Sequence, residues 1–289
     1  MSLCTSSHKD NPVEYSMKST ELILPVFSDS SLRNVCHDEV MTSKEYRERS
    51  QFGNDPMPDS TNTRMQTLSY RYLQQYYNFI YRQIDQHKCP RCWFLLTNCI
   101  CDTFKLVNDP VFLPHKVLTL IHFRELGRSS NSGRILFSAP SNKAYVFGVP
   151  SHESRLLQSI AEHDGPTLVL WPGPESITTD ELLSAQAQTG DLSPSYQIII
   201  LDGTWSNSRA MNRVIPKHIA RIRLSGSHRQ EFGGARKHSN KTRICTAGAC
   251  LHMFRELGIT SQQLSPLANA INTCFDQYAM QKNSERMRD

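Results

Sequence analysis

Four apolar residues in a row, Ile198 to Leu201, run into an aspartate within the stretch QIIILDGTWSNSRAMNR, residues 197 to 213. A short uninterrupted run rich in β-branched side chains offers no polar face to solvent, so it fits a strand covered on both sides of a sheet. After Asp202, Gly203 permits a sharp turn with close backbone approach. Trp205 and Ser206 then open a segment with Met211, Val214 and Ile215 on one side and Arg209 and Arg213 interspersed, which predicts a helix ending before Pro216. A carboxylate at the carboxyl end of a buried strand, followed by a helix mouth, stands where open α/β sheets place their ligands. The same residues also fit a plainer role, in which Asp202 or Ser206 caps the helix.

Two further strands repeat the arrangement. Val117 to Phe123 (VLTLIHF) reads as a strand leading into RELGRSSNSGRILF, a polar glycine-containing loop. That loop region collects His122, Glu125, Arg128, Asn131, Ser132, Gly133 and Arg134, a set suited to a small zwitterion, or, taken singly, to turns and surface pairs. Thr167 to Trp171 (TLVLW) is a strand stopping at Pro172-Gly173-Pro174-Glu175-Ser176, where the prolines rigidify the loop and Gly173 allows close approach, a credible wall for an adenine or a methionine side chain. Ile135 to Phe137 and Tyr145 to Val149 are expected to extend the sheet. Helices are expected from Ser151 to His163 with Leu156, Leu157 and Ile160 buried, over TTDELLSAQAQ, over Ala249 to Leu257, and from Leu267 to Met280 after Pro266. Strands separated by helices argue for an α/β fold with a mostly parallel sheet.

A different constraint precedes these strands. CPRCWFLLTNCIC carries Cys89, Cys92, Cys99 and Cys101. The two-residue spacing of the first pair lets one turn aim both thiolates at a single ion, and a short hairpin returns the second pair, so four sulfur ligands would close a tetrahedral structural site, zinc before iron–sulfur. The plainer alternative is a set of buried reduced thiols around Trp93, Phe94, Leu95 and Leu96. Nine cysteines in all, an odd number, do not suggest a fully paired disulfide scaffold.

Residues 1–66 read as an extension, with short apolar patches between stretches too polar to bury a continuous face. Residues 67–109 combine a helix with the cysteine cluster, and 110–289 form the main α/β domain with its carboxy-terminal helices. In that first helix Tyr72, Leu73, Tyr76, Tyr77, Ile80 and Ile84 recur at three-and-four spacing, for core packing or, alternatively, base stacking. No run approaches the roughly twenty apolar residues of a membrane span, and MSLCTSSHKDNPVEY lacks the apolar core of a secretory signal. The expectation is an intracellular chain, in cytoplasm or nucleus, without a membrane partner.

The formal charge is +5, and cations crowd one tract. Arg221, Arg223, His228, Arg229, Arg236, Lys237, His238, Lys241 and Arg243 surround SGSHRQEFGG, with Phe232 as a stacking surface. Such a distribution suits several phosphates without fixing a base sequence, though a solvated basic face has the same composition.

LDGTWSNSRAM resembles the signature of the DTW-domain family, with glycine at the variable position of its D-x-T-W form, and the CxxC…CxC cluster, IHFRE followed by NSGR, and LWPGPES match that family's other marks in order. The resemblance covers about Cys89 to Leu257. It implies a tRNA-uridine aminocarboxypropyltransferase related in fold to the knotted SPOUT class, moving the 3-amino-3-carboxypropyl group of S-adenosylmethionine to N3 of uridine in tRNA. Carried onto this chain, it implies cofactor contacts at Asn131, Ser132, Gly133 and Arg134, at Leu170, Trp171, Pro172 and Gly173, at Asp202, Gly203, Thr204 and Trp205, and at Cys245, Thr246, Ala247 and Ala249. With the modification signature, Arg209, Arg213, Arg229, Arg236, Lys237, Lys241 and Arg243 become RNA-binding candidates, and Asp202 becomes the candidate general base. A carboxy-terminal knot is likewise implied by the resemblance. Two departures stand out: Gly248 occupies the position of a common glutamate, and Trp93 follows Cys92 directly, without the Cys-x-Arg-Pro continuation. An RNA methyltransferase and a zinc-stabilised RNA-binding module are the rival readings.

Overall fold

The computed structural model describes residues 65, 67–69, 71–73, 89, 92–103, 115–138, 142–189, 195–226 and 244–286. Among the described residues six strands form one sheet: β1 (Lys116–His122), β2 (Lys143–Phe147), β3 (Thr167–Leu170), β4 (Ile177–Thr178), β5 (Gln197–Asp202) and β6 (Ala220–Arg223). Their order is β2-β1-β5-β3-β6-β4, and each pairing is parallel. Parallel strands need crossovers, and the described helices supply the layers: α1 (Pro150–Ala161), α2 (Thr179–Thr189), α3 (Trp205–Val214), α4 (Thr246–Glu256) and α5 (Ser261–Arg286). None of the described helices is long and apolar enough to cross a membrane.

The alternation of side chains along each strand sorts the core into two layers. Ile198 and Ile200 of β5, with Val117 and Leu168, pack with Leu251, Phe254, Leu267 and Ile271 of α4 and α5. Ile199 and Leu201, with Leu118, Leu120 and Val169, pack with Leu156 of α1 and Met211 of α3. All six residues of β5 are buried, so the absence of any polar position from Ile198 to Leu201 is accounted for by cover on both faces. Asp202 continues the even-numbered register and therefore faces the layer of α4 and α5.

The cysteine segment belongs to this core. Phe94, Ile100 and the buried Cys89 and Cys92 join the cluster under α4 and α5. Trp93 instead enters a separate cluster with Leu73, Ile121 and Val146. Successive aromatics thus point into different parts of the interior, and Trp93 adopts a left-handed backbone, φ 59°, to do so. The first helix is described at 65, 67–69 and 71–73; Leu73 is buried and the Tyr72 ring lies 4.8 Å from Phe123. Tyr76, Tyr77, Ile80 and Ile84 lie outside the described residues, as do residues 1–64.

Four local expectations need correction. Residues Gly133–Ser138 form a 3-10 helix, not a strand, and Asn142 helps hold it there: the Nδ2 donates to the Leu136 carbonyl at 2.7 Å while the Oδ1 accepts from the Val117 amide at 2.8 Å. The strand expected from Tyr145 to Val149 runs from Lys143 to Phe147, and Val149 caps α1. Leu157 is 43% exposed, because at a three-to-four period it falls outside the stripe led by Leu156. Helix α5 begins at Ser261 and contains Pro266. Pro266 lacks the amide that would reach the Gln262 carbonyl, and the Ser265 hydroxyl donates to that carbonyl instead at 2.9 Å.

Candidate active site

The connection leaving β1 leads outward to β2, whereas β5, its neighbour on the other side, leads to β6 in the opposite half of the sheet. Connections that diverge in this way leave a crevice beyond the carboxyl ends of the two strands. His122 ends β1 and Asp202 ends β5. At Gly203 a Cβ would lie 3.0 Å from Met211 Cε, 3.3 Å from Asn207 Cβ and 3.4 Å from His122 Cβ, which explains the glycine in the turn. Thr204, not Asp202 or Ser206, caps α3: its hydroxyl accepts from the Asn207 amide at 3.4 Å.

Asp202 has other partners. Its Oδ2 accepts from Asn131 Nδ2 at 2.6 Å and its Oδ1 from the Thr246 hydroxyl at 2.7 Å, and the residue is buried. The Asn131 amide is oriented by the Arg134 backbone amide, which donates to its Oδ1 at 3.0 Å, leaving the NH2 group to face the carboxylate. Gly133 lies against Asp202 so closely that a Cβ there would sit 2.7 Å from Cγ and 2.8 and 2.9 Å from the two oxygens. The Ser132 hydroxyl accepts from the Ala247 amide at 3.3 Å. Three segments separated by up to 115 positions therefore meet on one carboxylate.

The remaining expected residues sort differently. Trp171 follows β3 and its ring lies 5.9 Å from that of Trp205, which is 48% exposed. Leu170 ends β3, and Pro172 and Gly173 lie in the loop after it, held to β6 by the Trp171 amide on the Ile222 carbonyl at 2.9 Å and closed on itself by the Ser176 hydroxyl on the Gly173 carbonyl at 2.6 Å. Cys245 caps α4 through its sulfur, which accepts from the Gly248 amide at 3.2 Å, and the Ala249 amide reaches the Cys245 carbonyl at 2.9 Å. The amides of Ala247, Gly248 and Ala249 are thus engaged within the protein. Arg134 is fully buried with its guanidinium turned to Phe94 and Cys274.

Burial, helped by Arg124 and Arg128, brings the His122 imidazole down to about 4, so it stays neutral at physiological pH. Its Nδ1 accepts from the Arg124 amide at 3.3 Å. A residue that sequence reasoning passes over is Glu256. At the end of α4 it accepts from the Ser225 amide at 2.9 Å, the Gly226 amide at 3.2 Å and the Thr179 hydroxyl, anchoring the chain as it leaves β6.

Of the basic candidates, Arg209 and Arg213 are exposed on α3, while Arg229, Arg236, Lys237, Lys241 and Arg243 lie outside the described residues, with His228, Phe232 and His238. Arg221 is committed elsewhere. Its guanidinium donates to the carbonyls of Ile215 at 2.9 Å, Pro216 at 2.7 Å and Ile219 at 2.6 Å, closing the end of α3.

The four cysteine sulfurs lie within 4.8 Å of one another, with 3.4 Å between Cys89 and Cys101 and 3.8 Å between Cys92 and Cys99. A tetrahedron of sulfurs about 2.3 Å from a central zinc has edges of about 3.8 Å, so the cluster fits that ion. The turn is fixed by the Cys89 amide on the Phe94 carbonyl at 2.7 Å and the Trp93 amide on the Cys89 carbonyl at 2.8 Å. Hydrogen bonding with Cys101 draws the Cys89 thiol far down and Cys99 to about 7, while Cys89 in turn drives Cys101 far up. Zinc binds cysteine as the thiolate, so an ion held here would keep all four sulfurs deprotonated. Elemental analysis after purification without chelators should find one zinc per chain, and Cys92→Ala should lose it together with thermal stability. Absence of stoichiometric metal from the wild type would end the assignment.

Searches among curated proteins and among solved structures returned no match. A family model described as the DTW domain matches residues 86–279, a span that takes in the cysteine cluster, the six strands and the Asp202 crevice. That match covers more than half of the 289 residues, and the chain belongs to the DTW-domain family.

Proposed function

We propose that the crevice at the carboxyl ends of β1 and β5 binds S-adenosylmethionine and that the protein transfers its 3-amino-3-carboxypropyl group to N3 of a uridine in tRNA. Membership in the DTW family is consistent with an S-adenosylmethionine-dependent role in RNA modification. The observation that carries the reading is the convergence of Asn131, Gly133 and Thr246 on the Asp202 carboxylate at the divergence point of the sheet. The SPOUT relation and its carboxy-terminal knot belong to the same reading; the passage through 227–243 lies outside the described residues.

S-Adenosylmethionine supplies an electrophilic γ-carbon next to a sulfonium that departs as neutral methylthioadenosine. The bond formed is from uridine N3 to that carbon, the bond broken is from carbon to sulfur, and the proton on N3 must be accepted. In this reading Asp202 accepts it. Asn131 and Thr246 hold its two oxygens in place in a buried site. Trp171 and Trp205 form the aromatic wall of the crevice, and the exposed Arg209 and Arg213 along α3 meet RNA phosphates. The cysteine cluster keeps a closed set of four ligands and contributes stability, not chemistry.

Asp202 has a second reading with its own support. The same two hydrogen bonds and the contact with Gly133 would make it the keystone of the crevice without a proton role. The leaving thioether tests the reaction class. Incubation with tRNA and S-adenosylmethionine, followed by chromatography, should yield methylthioadenosine. S-Adenosylhomocysteine would instead make the protein a methyltransferase, and RNA binding with neither product would make it a binding module.

A further inference from the structure

We propose that Arg134 is a positioning residue that sets the crevice from behind and ties it to the cysteine cluster. The proposal rests on the crevice being the reactive site, but not on which group is transferred there.

Arg134 acts on the 128–134 loop in two directions. Through its backbone amide it turns the Asn131 side chain toward Asp202, accepted at Asn131 Oδ1 at 3.0 Å. Through its guanidinium it draws back the earlier part of the same loop, with Nη2 donating to the Ser129 carbonyl at 3.0 Å and Nη1 to the Arg128 carbonyl at 3.5 Å. A planar fork reaches two carbonyls at once, which an ammonium at the end of a flexible stem does not reproduce.

The guanidinium is itself seated on other elements. Its Nη2 lies 3.1 Å from Cys274 Sγ on α5, and its carbon lies 4.3 Å above the Phe94 ring and 5.6 Å from that of Trp93. Both rings follow Cys92 directly in the chain. The segment is further fixed from α5, where Gln281 Oε1 accepts from the Leu95 amide at 3.2 Å. A cation held against aromatic faces away from water is strongly attracted to them. The path from sulfur cluster to carboxylate is therefore contiguous: Cys92, Phe94, the Arg134 guanidinium, the 128–134 loop, Asn131 and Asp202. The backbone amide would serve with any side chain at this position, so what the arginine adds is its hold on the Ser129 and Arg128 carbonyls from a seat on Phe94 and Cys274.

The test compares full-length wild type with Arg134→Lys, both purified without chelators, by hydrogen exchange, elemental analysis and titration with S-adenosylmethionine. The expected result is unchanged metal content and sheet protection, with faster exchange confined to residues 125–137 and 244–249 and affinity lowered roughly 10–100-fold, the scale of losing an outer positioning partner. Wild-type exchange in those segments, or loss spread evenly over the whole sheet, would overturn the proposal. Should R134K not fold, Phe94→Leu keeps an apolar seat while removing the ring, and it should show the same local pattern to a smaller degree; unchanged exchange there would overturn the proposal equally. Metal removal from the wild type should expose 125–137 before β5, and a loop that stayed protected would break the link to the cluster. A wild type that bound no S-adenosylmethionine would overturn the cofactor reading alone, and the exchange comparison would still decide the role of Arg134.

Discussion

Asp202→Asn should retain S-adenosylmethionine and tRNA binding while its single-turnover transfer rate falls roughly 10²–10⁴-fold, the scale of a positioned acid–base group. The substitution is unusually clean in this setting. Asn131 can present only its NH2 group, because Arg134 holds its carbonyl oxygen, so the new amide must turn its own oxygen to Asn131. Its NH2 group then faces Thr246, whose hydroxyl can rotate to accept. Both hydrogen bonds survive in altered form, and what is lost is the charge and the capacity to accept a proton. Raising pH should partly restore the rate, since N3 then ionises in solvent. A keystone role predicts otherwise, with stability and cofactor affinity falling together and no selective chemical defect. A pH series of single-turnover rates at saturating tRNA, paired with cofactor titrations, separates the two.

Gly133→Ala should be nearly as damaging, although it leaves every polar residue in place. The added methyl would overlap the Asp202 carboxylate at 2.7 to 2.9 Å, far inside contact distance, and that carboxylate is tethered on both oxygens and has little freedom to retreat. Gly133 is not among the described glycines with positive φ, so the penalty is one of space and not of backbone strain. Overpacking of this kind costs about 1–3 kcal/mol. Displacing the carboxylate or the loop by even about 1 Å should lower turnover roughly 10²-fold. Wild-type turnover in folded G133A would mean that the contact with Asp202 is not part of the working geometry.

The sequence exposed the centre of the fold more clearly than its edges. Ile198 to Leu201 reads as a doubly covered strand, and the register that places Ile198 and Ile200 under α4 and α5 also aims Asp202 at that layer. The four cysteines were equally plain, because short covalent spacing restricts where thiols can go. By contrast, the three apolar residues Ile135 to Phe137 carry no period long enough to distinguish a strand from a 3-10 turn, and the partner that decides, Asn142, acts through hydrogen bonds. In the sequence Arg134 and Arg221 stand as cations available for ligands, yet both donate to backbone carbonyls. Charge is visible in a sequence, but the acceptors that claim it are set by tertiary structure. Thr246 lay among the expected contacts, although nothing local showed that its hydroxyl would reach Asp202 across 44 positions.

The transfer itself is tested most directly by the nucleosides of modified RNA. Unmodified tRNA is incubated with the full chain and S-adenosylmethionine carrying isotope in the aminocarboxypropyl carbons, then digested and analysed by mass spectrometry. The expected product is uridine bearing one labelled 3-amino-3-carboxypropyl group at N3, formed by the wild type and nearly absent with D202N. Unlabelled methylated nucleosides, or tRNA returned unchanged by a folded chain that binds both substrates, would contradict it.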